Sequence, residues 1–65
     1  MNKILREALD AKARWRAGIA DDAELWSYLD RAWDVAWEAS QNGDWQAAAD
    51  ASKVAEWPKQ KGRIR

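Results

Sequence analysis

Residues 24–41, ELWSYLDRAWDVAWEASQ, decide the fold. On a helical wheel of about 100° per residue, counted from Leu25, the residues Ser27, Asp30, Arg31, Asp34, Glu38 and Gln41 fall in one continuous polar arc. Everything else is apolar or small, apart from Ser40. Such a period of 3.6 residues predicts a helix. Its apolar face is about 200° wide, more than the usual single stripe, and has internal order. Trp26, Trp33 and Trp37 share one shoulder; Leu25, Leu29, Ala36 and Ser40 form the middle; Tyr28, Ala32, Val35 and Ala39 form the other shoulder. A face this broad can cover two neighbours at once, so this segment is expected to be the central helix of an all-α, compact three-helix bundle.

The flanking sequence supplies the other two helices. Helix 1 is expected over about 2–17, with Asn2 as N-cap and Gly18 as the residue that ends it. Its apolar face is Ile4, Leu5, Ala8, Leu9 and Trp15, with Lys12 intruding and able to snorkel to the edge. The pairs Lys3–Glu7, Arg6–Asp10 and Asp10–Arg14 stand at i,i+4 on its polar side. Helix 2 is expected over about 22–41. Asp21 followed by Glu24 reads as a capping box with a carboxylate in place of the hydroxyl, and Ala20 and Leu25 stand where a hydrophobic staple would be. Capping and the helix dipole suffice to explain Asp21, Asp22 and Glu24. Asn42-Gly43 breaks this helix, Asp44 caps the next, and helix 3 is expected over about 45–57, stopped by Pro58. Ala47, Ala48, Ala51, Ser52, Val54 and Ala55 line one of its sides, and indoles from helix 2 are expected to fill the space beside those small residues. Trp15 and Trp33 are read as core. Residues 1–58 thus form one domain, and residues 59–65, Lys-Gln-Lys-Gly-Arg-Ile-Arg, read as a frayed basic tail.

Gly43-Asp44-Trp45-x-x-Ala48, with Ala55 and Pro58 following, resembles the turn and second helix of a tetratricopeptide repeat. Helix 2 lacks that repeat's usual aromatic spacing, and the chain holds no second copy, whereas stacked repeats need neighbours to bury their faces. The resemblance is to a local helical hairpin.

A chain of 65 residues usually needs a staple to hold its core. Cysteine and histidine are both absent, which removes disulfides, thiolate metal sites and the commonest general base. The mass of six tryptophans is the staple that remains, with self-association as the other route. No apolar run approaches the ~20 residues that span a membrane, and residues 1–5 lack the long apolar core of a signal peptide, so a cytoplasmic protein without membrane attachment is expected. Net charge is zero but segregated: residues 1–18 carry +3, residues 19–57 carry −7 and residues 58–65 carry +4.

Chemistry is hard to build from this inventory. Without His or Cys the usual dyads and triads cannot form. Ser27, Ser40 and Ser52 lie outside any nucleophile-elbow context, and the three glycines are isolated. No catalytic, cofactor-binding or metal-binding residue is assigned, and no enzyme is expected. The informative feature is Asp30, Asp34 and Glu38 at i, i+4 and i+8, a ridge with Trp26 and Trp37 beside it and only Arg31 for local relief.

Three functions compete. An acidic-aromatic face (Trp26, Asp30, Asp34, Trp37, Glu38), with Trp45 and Trp57 as possible exposed anchors, suits a non-catalytic module that docks on the basic surface of a larger protein. Basic surfaces often hold nucleic acid, and compact phage-made inhibitors, including anti-CRISPR proteins, resemble this chain in size and in lacking catalytic residues. A DNA-binding protein is the second reading, since Val54-x-x-Trp57 followed by basic residues resembles the end of a recognition helix and its wing. Its contacts would be Lys53, Lys59, Lys61, Arg63 and Arg65, set against the acidic middle of the chain. The third is a structural protein that self-associates, as a homodimer, through its Trp faces.

Overall fold

In the computed structural model, which describes residues 2–58, the chain forms three helices, α1 (Lys3–Arg16), α2 (Asp22–Gln41) and α3 (Trp45–Ala55). It is the expected all-α three-helix bundle. The expected basic tail, with Lys59, Lys61, Arg63 and Arg65, lies outside the described residues.

The helix ends follow from capping chemistry. Each first turn has N–H groups without an intrahelical acceptor, and a short polar side chain meets one of them. Asn2 Oδ1 accepts from Ile4 N at 2.7 Å, Asp21 Oδ1 from Glu24 N at 2.9 Å, and Asp44 Oδ1 from Ala47 N at 3.2 Å. Two of the three helices stop in the same way. Gly18 at φ 80° and Gly43 at φ 75° take left-handed conformations that only glycine adopts without strain. After α1, Ile19 N donates to Arg14 O and Gly18 N to Trp15 O; after α2, Asp44 N donates to Ala39 O and Gly43 N to Ser40 O. Both are Schellman turns, each closing orphan carbonyls of the last turn.

α3 ends differently, and two residues earlier than the sequence suggested. The residue before a proline disfavours the helical region. Here the chain departs already at Glu56, which is extended (φ −67°, ψ 141°), so Trp57 does not lie on the helix. No glycine is present there to make a left-handed turn. A side chain from another helix serves instead: Lys12 Nζ donates to Lys53 O at 3.3 Å. A cation at a helix C-terminus also suits the helix dipole. Lys12 therefore does not snorkel out to solvent; it is buried and ties α1 to the last turn of α3.

The core is built of small residues. It comprises Leu5, Ala8 and Ala11 from α1, Leu25, Leu29, Ala32 and Ala36 from α2, and Ala51, Val54 and Ala55 from α3. Six of these ten are alanine; α2 packs along both α1 and α3, and no indole belongs to this core. The expected packing of indoles against the alanine side of α3 is thus corrected. Trp33 is exposed rather than core, and Trp15 is half-buried at the core's edge with Tyr28, Val35 and Trp57. Leu9, expected on the apolar face of α1, is exposed, while Ala11 and Lys12 take the buried positions. Ala20 and Leu25 are both buried at the start of α2, as a staple requires.

One end of the bundle is closed by aromatic packing. Trp57 meets Trp15 edge-on, with centroids 5.5 Å apart at 71°, and Trp26 at 4.8 Å and 31°. Trp15 follows the core of α1, Trp26 opens α2, and Trp57 follows α3, so this cluster gathers all three helices.

Two outcomes test the packing. Ala51→Leu should lose roughly 1–3 kcal/mol of unfolding free energy, because a close-packed alanine seam cannot admit a larger side chain. Trp37→Gln, which removes a far larger group from an exposed site, should cost under about 1 kcal/mol. Urea denaturation compares them, and equal losses would refute the alanine core. The second outcome concerns Lys12. Burial, then the like charge of Arg16, lowers its pKa from the ordinary 10.5, against a smaller opposing pull from Glu56. The folded state therefore binds this proton less tightly than the unfolded chain does, and the stability attributable to Lys12 rises as pH climbs from its lowered pKa towards 10.5. The stability of the wild type relative to Lys12→Met should accordingly move in favour of the wild type between neutral and alkaline pH.

Candidate functional site

The rotation of α2 about its axis decides which of its residues face solvent. Leu25, Leu29, Ala32 and Ala36 point into the core, which carries the row Trp26, Trp33 and Trp37 to the outside. These three stand at i, i+7 and i+11 and stretch about 17 Å along the helix. They are 50%, 46% and 68% exposed, and Trp45, which opens α3 at the same end of the bundle as Trp37, is 69% exposed.

The start of α2 is fixed by polar contacts to α1. Arg14 is bonded through Nη1 to Glu24 and through Nε to Asp10 at 3.0 Å. Both bonds, that to Glu24 first, hold its guanidinium well above the ordinary arginine pKa. Trp15 Nε1 donates to Asp22 Oδ1 at 2.7 Å. Capping was expected to explain Asp21, Asp22 and Glu24 together. In the structure only the side chain of Asp21 caps; Asp22 and Glu24 join the two helices, because α1 presents an indole N–H and a guanidinium at that height. Of the three expected i,i+4 pairs on α1, only Asp10–Arg14 closes among the described residues.

Beside the indole row runs the acidic ridge. Asp30, Asp34 and Glu38 are all exposed, and none forms an ion pair with a described residue. Arg31, expected to relieve them, instead stands over the Tyr28 ring at 5.6 Å. Trp26, Asp30, Asp34, Trp37 and Glu38 thus share one exposed face. Trp33 joins them, and its place on the same shoulder of the wheel as Trp26 and Trp37 was the signal for it. Trp57 does not serve as an exposed anchor, since it is half-buried between Trp15 and Trp26. Trp45 remains available.

The rest of the surface is less suggestive. An apolar groove of about 620 Å³ runs between the start of α1 and α3, lined by Asn2, Leu5, Val35, Ala47, Asp50, Lys53 and Val54. Lys53 is the one described residue of the nucleic-acid reading, and it stands one turn from Asp50. The hydroxyls of Ser27 and Ser40 each donate at 2.9 Å to a carbonyl of their own helix, of Glu24 and Trp37. Among the described residues no cluster of three or more acidic, His or Cys side chains is arranged to hold a metal, and no helix is long and apolar enough to cross a membrane.

Compared with protein-family models, curated proteins and solved structures, the chain matches none. The likeness of residues 43–58 to a repeat hairpin is accounted for locally, by the left-handed Gly43 and the Asp44 cap.

Charged quenchers test this face. Relative to each ion's quenching of free N-acetyltryptophanamide, caesium should quench indole fluorescence more than iodide at equal ionic strength, because Asp30 and Asp34 attract the cation towards Trp33 and Trp37. The difference should shrink by about half or more in Asp30→Asn/Asp34→Asn. Equal normalised quenching by the two ions in the wild type would mean that ridge and indoles do not share a face.

Proposed function

We propose that this chain is a non-catalytic protein-binding module that lays the acidic-aromatic face of α2 on a basic surface of a larger protein. The observation that carries the reading is the exposure of Trp26, Trp33 and Trp37 beside three carboxylates that no described cation neutralises, with Trp45 exposed at the start of α3. At ~150–250 Å² per indole, the exposed fractions of the three α2 indoles leave on the order of 250–400 Å² of aromatic surface in water on this face. That is comparable to the largest apolar patch of many soluble monomers, and up to about half of the roughly 800 Å² that each partner buries in a stable complex. The indoles would supply most of the affinity on desolvation, while the carboxylates would steer the encounter.

Charge disfavours the alternatives. A homodimer formed through this face would bring Asp30, Asp34 and Glu38 of both copies into one interface, where like charges repel. The same ridge repels phosphates, and the described surface of α3 offers a nucleic acid one cation, Lys53, beside the amide of Gln46. A fuller version of the proposal is an inhibitor of phage type, which would occupy a basic site that otherwise holds nucleic acid. Catalysis has no part in it.

Affinity capture from the source organism's lysate, run in parallel with Asp34→Lys/Glu38→Lys, tests the reading. A basic protein should be retained by the wild type, lost by the charge-reversed variant, and held more weakly as salt rises. Equal retention of that protein by the two would remove the ridge from the interface and the proposal with it.

A further inference from the structure

The face does more than combine charge with apolar area; it interleaves rings and carboxylates. Trp26–Asp30 stand at i,i+4, and Asp30–Trp33 and Asp34–Trp37 at i,i+3, the spacings at which side chains on a helix are neighbours. Each carboxylate of this set thus has an indole within one turn of it.

The fold already contains an example of what such a combination holds. The Arg14 guanidinium lies 5.7 Å from the centroid of the Tyr28 ring while it bonds Asp10 and Glu24. One planar cation is satisfied by a ring on one side and carboxylates at its edge. Arg31 lies over the same ring at 5.6 Å. On the outer face of α2 the rings and carboxylates are present, and no described cation pairs with Asp30 or Asp34 or stacks on these indoles.

Guanidinium and ammonium differ in how they use such a surface. A guanidinium is flat, weakly hydrated and forked, so it can stack on an indole and still donate two bonds to a carboxylate. A lysine ammonium is compact and strongly hydrated, and it loses its water shell when pressed on a ring. Among aromatic rings, indole attracts a cation most strongly.

We infer that this face selects arginine over lysine: its partner is an arginine-bearing protein segment whose guanidinium groups stack on Trp33 and Trp37 and pair with Asp30 and Asp34. This rests on the docking proposal above and specifies the chemistry of the partner.

End-labelled octaarginine and octalysine peptides of equal charge separate the two claims. Their affinities are read by fluorescence anisotropy near about 50 mM salt, where exposed charges are only partly screened. Octaarginine should bind about five- to tenfold more tightly, the scale set by two exposed cation–π contacts. Trp33→Leu/Trp37→Leu should bring the two peptides to equal affinity, with octalysine unchanged. Asp30→Asn/Asp34→Asn should weaken both. Far-UV circular dichroism verifies that each variant stays helical, and Trp37→Gln alone, expected to halve the preference or more, provides the same reading should the double variant unfold. Equal affinity of the two peptides for the wild type would overturn the arginine selection and leave a basic partner standing. An arginine preference that survives loss of both indoles would also overturn it, by placing the selection elsewhere. Failure of both peptides to bind would overturn this inference and the docking proposal together.

Discussion

Close approach of alanine-lined helices is the constraint on which this structure depends. Ala8 and Ala11 on α1, Ala32 and Ala36 on α2, and Ala51 and Ala55 on α3 bring α1 and α3 each against α2 around Leu5, Leu25, Leu29 and Val54. A methyl group fills little space, so the gain comes from many short contacts between helices at small separation. An indole cannot enter such a seam. The tryptophans are therefore sorted by where the seam ends. Trp15 and Trp26 both pack on Trp57 at one end of the bundle. Trp33, Trp37 and Trp45 stand outside the core and remain exposed.

The same tightness explains the polar contacts. A short α3 of eleven residues makes few turns, and its C-terminal carbonyls would be left bare by the extended Glu56. Lys12 reaches one of them across the bundle, at the cost of partial desolvation of its amine. At the opposite side of α1, Arg14 gathers Asp10, Glu24 and the Tyr28 ring. These contacts fix how α2 is turned about its axis, and that turn places the indole row and the acidic ridge on the outer surface. Fold and candidate site are thus linked through one rotational setting.

Much of this was legible in the sequence, because it depends on local rules. Asn2, Asp21 and Asp44 cap as their positions before apolar runs imply, and Gly18 and Gly43 take the left-handed conformations that end α1 and α2. Misreadings arose where tertiary packing decides. The wheel shows that Trp33 belongs to an apolar face about 200° wide, but not which part of that face the neighbours will cover. The alanines of α3 hold the answer, since small against small leaves the large residues outside. Leu9 was displaced for the same reason. Trp57 could not be placed from a helical wheel at all, because Pro58 takes it off the helix. Asp22 and Glu24 look like capping residues from the sequence, and only the arrival of Trp15 and Arg14 from α1 gives them another use.

The outer face of α2 is hard to explain as a requirement of the fold. Aspartate and tryptophan are both poorer helix formers than the glutamine or lysine that would serve at an exposed position. Asp30, Asp34 and Glu38 repel one another at i,i+4, which weakens the helix by a few tenths of a kcal/mol per pair. Exposed indoles invite association that the bundle does not need. A domain of this size has little stability to spare, so each choice works against it. Three of the four exposed indoles and all three ridge carboxylates coincide on one face of α2, in adjoining rows, while the core is completed by alanine, leucine and Val54. A concentration of locally unfavourable residues, outside the packing that defines the fold, is what a binding surface requires: groups held unsatisfied until a partner covers them.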